Sequence, residues 1–381
     1  MIMINGDEFR YNVSQNVALD RLESLRDGDG LEAYLAAKKE PLLLAVHQEE
    51  IDAIPVAEEE KRTLQNESID LVVPLLYKDE LQGMILLGPK LSGKLYSEED
   101  IDLLETVAHQ AAIAVQNARL STEVSEKRRI EEQVLSARKI TDDLLPKGAF
   151  LFGNLEVSGI SLTGDTVGGD YYDYIQTDDG KLLVVLADAA GEGVSAAVYM
   201  SKIEGMIRVT ADLTDSPHEI LSHINKYARK HFDKKLFVGI SLLRFDPSTS
   251  TVTYCRAGQS KPIFINEGGS KMLESGGVAL GLVSEREFDE SLEEVTLPFV
   301  PGEGIVLYTS GLPEARNAGM EEFGEDRLLE ICAEHTSQSS QNIHDAIMQS
   351  VKAFSGDEPL HDDLSLIVIK AVDESGTEIG E

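Results

Sequence analysis

Positive charge is what this 381-residue chain has least of. Lys and Arg number 34 against 68 Asp and Glu, for a formal net charge of −34. A surface of that sign repels phosphate backbones and anionic headgroups, so neither nucleic acid nor a membrane is expected as a partner. Cysteine is scarcer still. Cys255 and Cys332 are the two in the chain, and neither lies in a CxxC pair. Two thiols set in apolar sequence are expected to be buried and free. No apolar run approaches the ~18–20 residues of a membrane-spanning helix. The first residues, MIMINGDEFRYNVSQ, lack the basic-then-apolar pattern of a secretory leader. A cytoplasmic location is the expectation.

What remains is globular sequence with 42% apolar residues, enough to give each of two or three domains a core. Residues 1–117 read as one α/β unit. Strand material runs from Met3 to Val17, a turn follows at Gly28–Gly30, a helix starts at Leu31 and a strand covers Leu42–Val46. Asp70–Tyr77 and Leu81–Leu87 read as a hairpin turning at Lys78-Asp79-Glu80. Ser97-Glu98-Glu99-Asp100 opens a helix, with acids in its first turn where the dipole favours them. Residues 118–149 continue that helix until Pro146 and Gly148. Along it Lys127, Ile130, Val134, Ala137, Thr141 and Leu144 recur by threes and fours, an imperfect heptad seam. The seam suits either a parallel homodimer or packing on the chain's own surface.

Residues 150–372 form the third region, and 373–381 a polar, flexible tail. Strands are expected at Leu182–Ala187, Leu236–Phe245, Val252–Arg256, Pro262–Ile265, Ile305–Tyr308 and Leu364–Lys370. Helices are expected at Ser195–Leu213, Pro217–Phe232, Asp326–His335 and Ser340–Phe354. So many strands between few helices favour stacked antiparallel sheets covered by helices over a parallel doubly wound sheet.

Carboxylates fall where strands end and glycines turn. Asp170 follows Gly168-Gly169, and Asp188 closes the apolar run Leu182–Ala187 ahead of Gly191-Glu192-Gly193. Asp362-Asp363 immediately precede the last strand. A carboxylate at the end of a buried strand is costly unless a cation or strong hydrogen bonds compensate it, and adjacent carboxylates repel. Oxygen-only donors without paired His or Cys suit Mg²⁺ or Mn²⁺, not structural zinc.

The stretches VGGDYYDY (167–174), ADAAGEGVSAAVYM (187–200), CRAGQSKPIFI (255–265), GVALGLV (277–283), GEGIVLYTSGLPEARNAGMEEFG (302–324) and HDDLSLIVIK (361–370) resemble, in order, the SpoIIE-like (PPM, PP2C-type) bacterial serine/threonine phosphatase domain. The resemblance implies an αββα sandwich, two antiparallel sheets flanked by helices. It implies hydrolysis of phosphoserine or phosphothreonine on a protein, using two Mn²⁺ or Mg²⁺ ions. By it Asp188 would bridge both metals, the Ala189 carbonyl would bind one, Asp170 would hold a metal-bound water, and Asp362 would be a ligand with Asp363 behind it. Paired ions would supply hydroxide for attack on phosphorus. One position departs from the family. Thr309-Ser310-Gly311 stands where the family has Thr-Asp-Gly, so Ser310 replaces a metal-ligand Asp with a neutral hydroxyl. Glu192 is a candidate replacement for that carboxylate.

LRDGDGLEAYLAAKKEPLLL (25–44) and VVPLLYKDELQGMILLGPKLSGKLYSEEDIDLLETVAHQAAIAVQNARL (72–120) resemble a GAF domain, abbreviated at its start. His47 and His109 are lone histidines, expected to be structural. The combined resemblance implies a phosphatase regulated through its GAF domain and helical linker. Its implied substrate is a phosphorylated anti-sigma-factor antagonist with a STAS-like fold, in a partner-switching pathway. The alternative, motivated by Ser310, is a pseudophosphatase that binds its partner without hydrolysis.

Overall fold

The computed structural model describes residues 2–4, 12–13, 25, 30–44, 48–143, 145–146, 148–164, 167–191, 193–233 and 236–373. The chain divides into two compact units, Met1–Ile130 and Glu131–Glu381.

The first unit contains β1 (Ile2–Ile4), β2 (Asn12–Val13), α1 (Leu31–Lys38), β3 (Leu42–Leu43), α2 (Gln48–Ala53), α3 (Glu58–Asn66), β4 (Leu71–Tyr77), β5 (Glu80–Leu87) and the start of α4 (Glu98–Asp142). Its sheet has the order β2-β1-β5-β4-β3. The β4–β5 hairpin turns on Lys78 and Asp79 alone, with φ of 47° and 69°. Positive φ at both positions matches a two-residue turn whose twist fits the strands, and Glu80 belongs to β5. Helices α2 and α3 were not expected. α3 has few apolar residues, but its Glu60 is buried and its carboxylate accepts the Leu31 amide at 2.9 Å and the Ala57 amide at 3.1 Å. One acid thus satisfies orphan donors at the starts of two helices. α4 begins as expected: the Ser97 hydroxyl accepts the Asp100 amide at 3.3 Å, and the Asp100 carboxylate accepts the Ser97 amide at 2.7 Å. It stops at Asp142, before Pro146. Seam position Leu144, Gly28, His47, Glu192 and the tail from Glu374 lie outside the described residues. No helix among the described residues is long and apolar enough to cross a membrane.

The second unit follows with β6 (Phe150–Phe152), β7 (Leu155–Leu162), β8 (Asp170–Gln176), β9 (Leu182–Ala189), α5 (Val194–Ala211), α6 (Pro217–His231), β10 (Val238–Asp246), β11 (Thr251–Ala257), β12 (Ile263–Asn266), β13 (Gly269–Met272), α7 (Glu285–Ser291), β14 (Glu294–Pro298), β15 (Gly304–Tyr308), α8 (Glu325–Glu334), α9 (Ser340–Ser355) and β16 (Leu364–Ala371). Two sheets result, β14-β11-β10-β9-β8 and β13-β12-β15-β16-β7-β6, with every pairing within them antiparallel.

Strand parity sorts the side chains into three apolar layers. In β8 and β9, Tyr171, Ile175, Leu183, Val185 and Ala187 pack with Met200, Ile203 and Ile207 of α5 and Ile220, Leu221 and Ile224 of α6. The alternate residues Tyr172, Tyr174, Leu182, Val184 and Leu186 meet Ile305, Leu307, Ile367 and Ile369 of the other sheet. That sheet's outer face, including Val306, Tyr308, Leu366 and Val368, packs on Leu328 and Cys332 of α8 and Ile343 and Ile347 of α9. The order helix, sheet, sheet, helix is the αββα sandwich. Each fully buried Leu, Ile or Val contributes ~1.5–3 kcal/mol, so these layers outweigh surface ion pairs worth ~0–1 kcal/mol.

Candidate functional site

Asp170 and Asp188 meet because of register. They are direct partners across β8 and β9. The Ala189 amide donates to the Gly169 carbonyl at 3.3 Å. That hydrogen bond makes 169/189 the hydrogen-bonded pair and leaves Asp170/Asp188 in the alternating position where facing side chains come closest. Both share the parity of Tyr172 and Leu186, so both carboxylates face the inter-sheet layer at its open end. Asp173, in the same motif, has the opposite parity. It is buried on the helix side, accepts the Tyr171 hydroxyl at 2.7 Å and is ion-paired with Arg208 of α5. Two aspartates three residues apart are therefore a site residue and a structural one.

The second sheet delivers Thr309, Asp363 and Ser365 into the same layer, by the same parity as Leu307 and Ile367. The buried Thr309 hydroxyl donates to Asp170 Oδ2 at 2.9 Å and accepts the Ser365 amide at 2.9 Å. The Asp363 carboxylate accepts the Gly164 amide at 3.0 Å and the Gly169 amide at 2.6 Å, tying the start of β16 to the loop before β8. Asp362 is exposed, and its side chain accepts the Asp363 amide at 2.8 Å. Gly311 lets the backbones approach: a Cβ there would lie 2.1 Å from the Asp363 carbonyl oxygen. After β9 the chain turns into α5 through Gly193, whose φ of 73° suits glycine.

The electrostatics are one-sided. Burial, the Asp188 charge and the Asp363 charge hold Asp170 well above the usual carboxylate range. Burial, then Asp362, Asp363 and Glu314, push Asp188 up to about 6. The charges that push both residues up all belong to other carboxylates. Asp170 Oδ1 is buried and has no hydrogen-bond partner among the described residues. An orphaned buried carboxylate oxygen amid like charges and oxygen donors fits a hard divalent cation. Among the described residues no three His, Cys, Asp or Glu side chains form a ready-made cation cage.

Of the residues expected from sequence, Asp170, Asp188, Asp362 and Asp363 converge here, with Ala189 beside them. Its carbonyl oxygen is 3.0 Å from where a Gly169 Cβ would stand. Ser310 is half-buried just past β15, and its carbonyl accepts the Glu314 amide at 3.1 Å. Sequence reasoning missed Thr309 and Glu314. Glu314 sits one helical turn beyond Ser310, a spacing that could have flagged it.

Residues 178–372 match the family model described as Stage II sporulation protein E (SpoIIE), and residues 4–117 match a GAF domain model. The first match begins C-terminal to Asp170. The phosphoserine phosphatase RsbU of Bacillus subtilis is 27% identical over 227 residues, covering 57% of this chain and 63% of RsbU. Protein IcfG of Synechocystis is 25% identical over 261 residues, covering 61% of this chain and 40% of IcfG. The chain thus spans less than two thirds of either relative. Among solved structures, the SiaA-PP2C domain of Pseudomonas aeruginosa superposes with a TM-score of 0.54 at 21% identity, over 65% of this chain and 98% of that domain. The RsbU and RsbW domains of a Mycobacterium tuberculosis protein give 0.51 at 19% identity, over 58% of this chain and 62% of that one. These two likenesses show a shared fold. With a SpoIIE match over half its length and a GAF domain ahead of it, the chain belongs to the Stage II sporulation protein E (SpoIIE) family.

Proposed function

We propose that the sandwich unit is a metal-dependent phosphatase that removes phosphate from phosphoserine or phosphothreonine on a protein. The observation that carries this reading is the Asp170–Asp188 pair, two carboxylates facing one another in the inter-sheet layer, with further carboxylates as the neighbouring charges named as acting on them. Bound there, Mn²⁺ or Mg²⁺ ions polarise phosphoryl oxygens and make water a better nucleophile near neutral pH. Asp188, Asp170 and Asp362, with the Ala189 carbonyl, would hold the ions. Thr309 orients Asp170 through its hydroxyl. Asp363 acts as a positioning residue, with both carboxylate oxygens engaged by backbone amides. Glu314 is a carboxylate supported as compensation for Ser310, because its charge reaches Asp188.

The relation to RsbU, a phosphoserine phosphatase, supports a phosphoserine protein as substrate; the family resemblance of the sequence implies an anti-sigma-factor antagonist of STAS type in a partner-switching pathway. The GAF domain and α4 supply regulation, and the heptad seam supports a homodimer. The entry of the chain into the sandwich suits such coupling. Leu145 packs against two of its core layers, and the Tyr172 hydroxyl donates to the Pro146 carbonyl at 2.8 Å. Tyr172 lies two residues along β8 from Asp170.

The test is release of phosphate from p-nitrophenyl phosphate and from a phosphoserine protein across a Mn²⁺ titration, with Asp188→Asn alongside. Metal-dependent release that Asp188→Asn abolishes is the expected result. Ser310 favours a second reading, a partner-binding module without turnover. Silence of the folded protein at millimolar Mn²⁺, with a phosphorylated partner supplied, would favour that reading over catalysis.

A further inference from the structure

In a chain of net charge −34, the end of α6 runs the other way. Lys226, Arg229 and Lys230 fall within five residues that contain no acid. All three are exposed, as is Lys202 of α5. Among the described residues none of the four forms an ion pair, whereas Lys181, Arg208 and Arg244 of the same unit do. Apolar side chains stand exposed nearby: Val194 and Val198 on the outer face of α5 at 44% and 51%, Phe237 at 41% and Leu282 at 51%.

Contacts join these into one surface. The Tyr199 and Phe232 rings lie 4.8 Å apart, with Lys202 Nζ 5.1 Å from the Tyr199 centroid. Arg229 Nη1 donates to the Gly281 carbonyl at 3.1 Å, beside Leu282. A Cβ on Gly281 would stand 2.9 Å from the Leu236 carbonyl oxygen, so that loop abuts Phe237. The Phe237 carbonyl accepts the Ala190 amide at 2.8 Å. The surface therefore ends two residues from Asp188.

We propose that this basic and apolar surface docks an acidic, phosphoserine-bearing protein. The inference rests on the phosphatase reading and names where its substrate sits. A strongly acidic chain repels a phosphoprotein at long range. Exposed cations that form no ion pair among the described residues, although Arg229 also acts on the nearby Glu287, reverse that locally and steer the encounter. Exposed valines and Phe237 supply the apolar contact that holds the partner once it arrives. An anionic bilayer shares the charge but is extended and flat, so it meets the surrounding acidic surface. A small protein need touch only the patch.

The experiment measures affinity of the full chain for immobilised phosphorylated casein, an acidic phosphoserine protein, at about 50 mM and about 0.5 M salt. Arg229→Glu/Lys230→Glu is compared with Arg128→Glu/Arg129→Glu, which changes net charge equally on α4. The patch variant is expected to bind at least ~10-fold more weakly at low salt, with the difference narrowing at high salt, while the α4 variant matches wild type. Lys202→Glu/Lys226→Glu gives the same result if the first variant has a lowered thermal midpoint. Equal affinity for patch and α4 variants overturns the proposal. So does a patch variant whose only change is its sedimentation state, which assigns the surface to a second copy. Loss of binding to phosphatidylserine vesicles with casein binding intact overturns it in favour of a membrane. Wild-type release from p-nitrophenyl phosphate, which needs no docking, tests the catalytic reading separately. Patch-dependent casein binding without that release leaves docking standing and catalysis refuted.

Discussion

Replacing Thr309 by Val removes one oxygen from a fully buried side chain and adds one methyl, a change that a purely apolar core would welcome. The structure requires the opposite. The Thr309 hydroxyl donates to Asp170 Oδ2 and accepts the Ser365 amide, each at 2.9 Å. A hydrogen bond to a charged acceptor is worth ~1.5–3 kcal/mol, and a buried amide left without a partner costs ~1–3 kcal/mol. Asp170 already has one oxygen without a partner. The added methyl returns roughly 0.8 kcal/mol, and Asp170 can shed part of the cost by taking up a proton. The balance is a loss of about 2–4 kcal/mol, or about 4–16 °C in the melting midpoint for a unit of this size. Thr309→Ser keeps the hydroxyl and loses a methyl, at about 1 kcal/mol. The assay is urea unfolding followed by calorimetry in EDTA. Valine must be worse than serine. If valine equals serine or exceeds it, the hydroxyl is not holding Asp170 and the described geometry of the site is wrong.

Two further outcomes follow from close packing. Gly311→Ala puts a Cβ 2.1 Å from a backbone oxygen of Asp363, so the Asp362–Asp363 segment must shift. Phosphate release is expected to fall at least ~10-fold with a stability loss of about 1–3 kcal/mol, measured by kinetics beside urea unfolding. Burial pushes both the Cys255 and Cys332 thiols up to about 12. The native protein at pH 8 should leave a thiol reagent unreacted over minutes, and guanidinium should expose two equivalents.

Periodicity made α5, α6, α8 and α9 and the central strands β9, β10, β15 and β16 readable, because each carries a sustained apolar pattern, but it did not mark the seven-residue α7 or the strand β7. It missed β8. Asp170-Tyr171-Tyr172-Asp173-Tyr174-Ile175 is buried on both faces, so no alternation of polar and apolar residues marks it as a strand. Its glycines drew attention to a turn instead. Short edge strands β6, β13 and β14 escaped for the converse reason, since half-exposed edges carry little hydrophobic signal. Asp188 was legible as a carboxylate at the end of an apolar strand. The clamp on Gly164 and Gly169 was not, because Asp363 lies almost two hundred residues away and only the sandwich joins them. The opposite fates of Asp170 and Asp173 become readable once β8 is known, from parity alone.

The inter-sheet layer has a consequence for how this protein can drift under mutation. Asp170 and Asp188 ride on one sheet, Thr309 and Asp363 on the other, so their mutual reach is fixed by the thickness of the filling between them. Val184, Leu186, Leu307 and Ile367 are that filling, and packed sheets stand ~10 Å apart. A methylene gained or lost there moves one half of the site against the other without touching either. Equally buried residues beneath α8 and α9, such as Ile343 and Ile347, can change at similar cost in stability and leave the spacing alone. Silencing substitutions should accordingly trace a plane through the molecule, not a sphere around the carboxylates.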